Sequence, residues 1–218
     1  MTSAFQDPGR DCPLCPRLVD FRTDCRDAHS DWWNAPVPSF GSLDAPLLIL
    51  GLAPGLQGAN RTGRPFTGDW AGDLLYKVLC EEGLASGRYD RRPDDGLALV
   101  DCRIANAVRC VPPQNKPVGA EMKACRKFLV DEFAAMHSLK AVFTLGRIAH
   151  EAALRVCGQK LSAATFAHGA DHEIRDTNGR SIRIVNSYHC SRYNTNTGRL
   201  TEAMFRDAIL TAKAAAGL

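Results

Sequence analysis

Two pairs of cysteines, set far apart along the chain, constrain its folding more than any other feature. Cys12 and Cys15 stand in Cys-Pro-Leu-Cys near the N-terminus, while Cys110 and Cys125 bracket Cys-Val-Pro-Pro-Gln-Asn-Lys-Pro…Cys in mid-chain. Thiolates in this pattern bind a soft metal centre, either a [4Fe–4S] cluster or structural zinc. A centre shared by both pairs closes a long loop and fixes whatever lies between. Proline turns at Pro13, Pro16, Pro112 and Pro113 expose amide N–H groups that can reach sulfur. Arg17, Arg22, Arg109, Lys116 and Arg126 would offset the negative charge of a cluster. Cys25, Cys80, Cys102 and Cys157 read instead as small buried apolar residues.

The cysteine total of nine is odd, and the opening residues carry no apolar signal core. These features predict thiols in a reduced, cytoplasmic protein rather than a secreted disulfide scaffold. At 218 residues, 45% hydrophobic and 23% charged, the chain suits one domain over residues 1–218, expected as a monomer. No apolar run reaches the roughly 20 residues of a membrane helix. The net charge of +3 permits nucleic-acid binding without arguing for it.

Residues 1–40 are polar and irregular in pattern. Pro46-Leu-Leu-Ile-Leu-Gly-Leu reads as a buried strand running into a loop, Leu97–Val108 as a second strand, and Lys140-Ala-Val-Phe-Thr-Leu-Gly as a third. Helical spacing predicts helices over 69–82, 119–139, 147–156 and 199–215. Glu173-Ile-Arg and Ile182-Arg-Ile-Val flank Asp176-Thr-Asn-Gly, a hairpin pattern that supplies a fourth strand. Alternation of strands and helices predicts an α/β layered domain with a mostly parallel sheet, whose site lies in the loops after the strand ends. Those loops are 52–68, 106–118 and 188–198.

Each loop carries candidate chemistry. Residues 51–69, Gly-Leu-Ala-Pro-Gly-Leu-Gln-Gly-Ala-Asn-Arg-Thr-Gly-Arg-Pro-Phe-Thr-Gly-Asp, are rich enough in glycine to bring backbone close to a ligand. Phe66 on that loop is either a stacking plate for a base or a core filler. Asp69 is either a helix N-cap or a functional carboxylate. The loop lacks the Gly-Lys-Ser/Thr ending of a triphosphate-binding loop. Asn106 ends the second strand, where its amide could meet a base edge or cap a turn. His189, in Ser187-Tyr-His-Cys-Ser-Arg-Tyr-Asn-Thr-Asn-Thr-Gly-Arg, falls at a strand end, and Ser191, Arg192, Asn194 and Thr197 suit phosphate contacts.

These segments, in this order, resemble the iron–sulfur family 5 of the uracil-DNA glycosylase superfamily, from Cys12 to Thr201. Phe166-Ala-His-Gly adds a further matching segment. Leu52 stands where the related family 4 carries glutamate, and Cys190 where many relatives carry proline. The resemblance implies a three-layer α/β/α fold with a central, mostly parallel four-stranded sheet. It implies a structural [4Fe–4S] cluster on Cys12, Cys15, Cys110 and Cys125. It also implies a monofunctional glycosylase that flips uracil out of DNA and hydrolyses it to leave an abasic site, with hypoxanthine and other deaminated bases as further substrates. On that basis Gly51, Ala53, Pro54, Gly55, Phe66 and Asn106 are expected to hold the base, and His189 and Asp69 to carry catalysis. Ser191, Arg192, Tyr193, Asn194 and Thr197 are expected to hold DNA. The competing readings are an iron–sulfur DNA nuclease and a non-enzymatic iron–sulfur DNA-binding protein.

Overall fold

The structure, a computed structural model, describes residues 5–218. Residues 1–4, which fall within the single domain and the leaderless start expected above, lie outside the described residues. The helices are α1 (Pro16–Ala28), α2 (Ala59–Thr62), α3 (Trp70–Glu81), α4 (Gly119–Ala135), α5 (Arg147–Val156), α6 (Arg192–Asn196) and α7 (Glu202–Ala215). The strands are β1 (Phe40–Gly41), β2 (Leu47–Gly51), β3 (Ala85–Ser86), β4 (Ala98–Leu99), β5 (Cys102–Asn106), β6 (Ala141–Leu145), β7 (Asp171–Arg175) and β8 (Ser181–Ser187).

The main sheet runs β1-β5-β2-β6-β8-β7. Its middle, β5-β2-β6-β8, is the expected four-stranded parallel core. Two antiparallel edge strands, β1 beside β5 and β7 beside β8, extend it to six. All five residues of β2, β5 and β6 are buried, because helices cover both faces of the sheet. Leu47 and Ile49 pack toward α3 and α7 with Leu75, Leu79, Phe205 and Ile209. Their neighbours Leu48 and Leu50 point the other way, toward Leu129, Phe133 and Leu154 of α4 and α5. This period-two alternation makes the three-layer α/β/α sandwich.

Several boundaries differ from the sequence reading. The segment Leu97–Val108 is two strands, because Asp101 adopts a left-handed φ of 52° and turns the chain between β4 and β5. The helix expected to run to residue 139 stops at Ala135, and the last helix begins at Glu202, with Thr201 capping it through Met204 N–H. The irregular N-terminal stretch contains α1. Among the described residues no helix is long and apolar enough to cross a membrane.

The chain leaves β2 for β5 on one side, then crosses back to β6 on the other. The strand order therefore reverses at the C-terminal end of β2, where the loops diverge and open a crevice.

Candidate active site

A cavity of about 400 Å³ occupies that crevice, a size suited to a small planar ligand. Ala53, Pro54 and Gly55 line it from the loop after β2, Asn106 from the end of β5, and His189, Ser191 and Arg192 from the segment after β8. Phe66 and Asp69 complete the wall from the long loop. Gly51 lies beneath: a Cβ there would come within 2.4 Å of Asn106 Oδ1 and 2.6 Å of Phe66 Cζ. Only a hydrogen at this position lets the amide and the ring approach each other.

Phe66 is 7% exposed and holds a left-handed φ of 52°, an unusual backbone conformation for a bulky residue. Its surroundings hold it there. Tyr76 Oη donates to Pro65 O at 2.6 Å, Tyr89 Oη donates to Phe66 O at 3.3 Å, and a Cβ on Gly72 would sit 1.7 Å from that same carbonyl. The ring thus fills core on one side and faces the cavity on the other. Its centroid lies 6.0 Å from the His189 ring at an interplanar angle of 32°.

Asn106 is buried at the end of β5, and its Oδ1 has no hydrogen-bond partner among the described residues. A buried polar atom without a partner costs free energy of about 1–3 kcal/mol. Asn106 lines the cavity, so a donor on a bound ligand is the candidate partner for it.

Burial lowers the proton affinity of His189 below the ordinary imidazole value, while the nearby Asp69 carboxylate pulls it upward. Burial prevails, and the ring is neutral at pH 7 with one N–H to donate. Asn194 Nδ2 donates to His189 O at 2.8 Å and fixes the backbone carrying the ring. The structure shows Asp69 as the N-cap of α3, and places the same side chain in the cavity wall. Oδ1 accepts the Gly72 N–H at 3.1 Å.

The segment after β8 is a short helix, α6, rather than an open loop. Ser191 caps it through Asn194 N–H, and Thr197 Oγ1 donates to Tyr193 O at 2.8 Å. Asn194 and Thr197 are therefore occupied with the local backbone, whereas Tyr193 is 72% exposed and Arg192 lines the cavity mouth. Two lining residues with hydrogen-bonding side chains escaped the sequence reading, along with the apolar Leu52, Ala59 and Ala71. Trp70 stands at the rim, donating to Thr195 Oγ1 at 2.9 Å with the Arg192 guanidinium 5.6 Å over its ring. Asn115 reaches the cavity because Gln114 and Asn115 both take left-handed φ values, 56° and 55°. Its signal was an Asn within a proline-rich turn after a strand end.

Away from this cavity, Cys12, Cys15, Cys110 and Cys125 line one small pocket together with Leu18, Arg22 and Phe128. Arg109 N–H donates to Cys125 Sγ at 3.3 Å, and Arg22 Nη1 to Cys110 Sγ at 3.9 Å. Burial and the neighbouring thiols push Cys110 up to about 12 and Cys125 up to about 11. Among the described residues no group of three His, Cys, Asp or Glu is arranged to hold a metal ion. Cys25, Cys102 and Cys157 are buried and Cys80 half-buried, apart from this pocket.

Comparison with known proteins adds to this geometry. The pattern of the Uracil DNA glycosylase superfamily matches residues 38–213. A type-5 uracil-DNA glycosylase of Thermus thermophilus is 44% identical over 212 residues, covering 95% of this chain and 94% of the relative. One from Mycobacterium bovis is 41% identical over 215 residues, covering 95% and 79%. A type-4 uracil-DNA glycosylase of Pyrobaculum aerophilum is 28% identical over 154 residues, 70% of each chain.

Proposed function

This chain belongs to the uracil DNA glycosylase superfamily, and we propose that it excises uracil from DNA by taking the flipped nucleotide into the cavity between Phe66, Asn106 and His189. As a member of that family it is a hydrolase of N-glycosyl bonds. The single observation that carries the reading is the orphaned Asn106 Oδ1. Buried at the end of a core strand, on a residue that lines the cavity, it calls for a hydrogen-bond donor such as the ring N–H that uracil carries at N3. Phe66 stacks on the base. Backbone of residues 53–55 closes around its edge.

Cleavage breaks the bond between N1 of uracil and C1′ of the sugar, and the electron pair leaves with the base. The resulting anion places charge on the base oxygen, where the neutral His189 donates its N–H. Water adds to the cationic sugar, and its proton passes to the Asp69 carboxylate or to solvent. A stabilised leaving group lowers the demand on the nucleophile, so Asp69 serves mainly to orient water and steady the positive sugar. Asp69 is the one carboxylate among the residues lining the cavity, and metal-dependent strand scission uses several, which disfavours the nuclease reading.

Cys12, Cys15, Cys110 and Cys125 are the residues that would hold a [4Fe–4S] cluster. All four line one pocket, so a single centre there could engage both pairs. Crowded thiols that raise one another's proton affinity gain from a cationic core, and the Arg109 amide and Arg22 supply hydrogen bonds to sulfur. When bound, the cluster supplies a covalent cross-link from the N-terminal segment to the middle of the chain. Iron analysis of the purified protein is expected to give about four irons per chain; stoichiometric zinc in place of iron would contradict the assignment.

Base release from matched oligonucleotides carrying uracil, hypoxanthine or neither tests the activity. Free uracil from the first, slower release of hypoxanthine from the second and none from the third is the expected outcome. DNA binding with no base released, or strand scission in plain magnesium buffer without uracil, would overturn it.

A further inference from the structure

The catalytic loop has a second side. Across α2 from the base cavity lies another cleft, of about 460 Å³, lined by Arg10, Trp32, Trp33, Arg61, Thr62 and Arg92 among others. The four-residue helix separates the two: Ala59 lines the base cavity, whereas Arg61 and Thr62 line the cleft. The cleft and the base cavity thus share the short helix α2 as a wall.

The cleft combines fixed aromatic rings with cations that are only loosely engaged. Trp33 is 36% exposed, and its ring is anchored where Nε1 donates to Pro36 O at 3.1 Å. Gly63 lies so close beneath it that a Cβ there would come within 2.8 Å. Trp32 stacks on His29 at 3.8 Å and 9°, which fixes that ring too. The Arg10 guanidinium rests over Trp33 at 5.5 Å, and Arg61 reaches only the Gly68 carbonyl, at 3.4 Å. Arg92 meets Asp94 at 3.4 Å on an exposed surface, where solvent screens the pair. Arg91 is engaged by Asp73 at 2.5 Å, and Asp31 is the carboxylate within the lining.

Rings held in place beside available guanidinium groups are the chemistry that binds unpaired nucleotides: stacking for the bases, charge for the phosphates. A duplex keeps its base faces inside the stack and cannot use the rings. We propose that this cleft binds unpaired nucleotides flanking the flipped uracil, so that the protein favours single-stranded or locally opened DNA. The proposal rests on the glycosylase reading for its substrate but makes its own claim about the flank.

The test compares the wild-type protein with the triple variant Arg10→Ser, Trp32→Ala, Arg92→Ser, none of which lines the base cavity. Uracil excision is measured on a single strand of about 15 nucleotides, on a trinucleotide, and on a duplex of the longer strand. The variant is expected to raise KM for the long single strand about tenfold. KM on the trinucleotide and duplex, and kcat throughout, stay unchanged, which also shows that the variant is folded. A uracil-free thymidine strand, titrated by tryptophan fluorescence at several salt concentrations, isolates the cleft from catalysis. Removing two cations is expected to lower its salt slope by about 1.4, and Trp32→Phe alone should retain most of the affinity. Equal KM changes on all three substrates, no change on the long strand, or an unaltered titration would each overturn the proposal. Absence of uracil release by the wild-type protein would count against the glycosylase reading, and the thymidine titration would still decide the cleft.

Discussion

Asp69 illustrates why single residues of this site resist a one-role reading. The N-cap pattern before α3 is plain in the sequence, and the hydrogen bond from Gly72 N–H bears it out. Yet the same side chain packs against Gly55 and Gly58, where a Cβ on either would come within 2.9 or 2.2 Å of Oδ2. Phe66 is similar, at once core filler and cavity wall. His189 was legible because a strand end and a polar loop bracket it. Its electrostatics were not, since they follow from burial that only the fold creates. With its proton affinity below the ordinary value, the imidazole is neutral across the working range. The rate of uracil release is therefore expected to stay level from about pH 8 to about pH 6.5 and to change only below that, as the ring protonates. An inflection above pH 6.5 that disappears in His189→Ala would contradict a neutral donor.

At the scale of elements, the strands with continuous apolar runs were the easiest to read, and α5 was read to the residue. α1 was missed because its buried positions are Leu18, Arg22 and Cys25: the helical period is present, but an arginine occupies its middle. That arginine faces the cysteine pocket, a reason invisible without the fold. β1 is two residues long and exists only by pairing with β5. The long loop between β2 and α3 owes its shape to another buried cation. Arg64 makes two bonds of 2.8 Å to Asp95, a third of 2.8 Å to Thr67 Oγ1, and lies over the rings of Phe40, Tyr76 and Tyr89. The Arg64 guanidinium and two backbone N–H groups hold the Asp95 carboxylate well below the usual carboxylate range. Asp95→Ala would leave a buried guanidinium without its partner. The expected loss is about 3–5 kcal/mol of unfolding free energy, read from urea denaturation. A loss below about 1 kcal/mol, the range of exposed pairs, would show that the pair does not brace the loop.

Across the whole molecule, the parallel core, its two helix layers and the placement of the loops at the strand ends follow from alternation and apolar runs. The edge strands do not, because short or half-exposed segments carry too little pattern. Long-range ties are also illegible in sequence. Glu132 of α4 accepts from Arg103 at 2.6 Å and from Arg109 at 2.5 Å, and Arg109 continues to Asp7 at 3.1 Å. This buried network joins the N-terminal segment, the central sheet and α4 beside the cysteine pocket. The proposed cluster would hold the same three parts, with Arg109 common to the network and the cysteine pocket. Both lie apart from the long loop between β2 and α3, which shapes the wall of the cavity. That cavity is the centre of the account, and His189 is its sharpest element. Single-turnover release of uracil by His189→Ala, with DNA affinity measured alongside, tests it most directly. The expected result is a rate loss of roughly 10²–10³ with affinity preserved, the size of losing one oxyanion donor; a loss of less than about tenfold would mean that the imidazole does not stabilise the departing base.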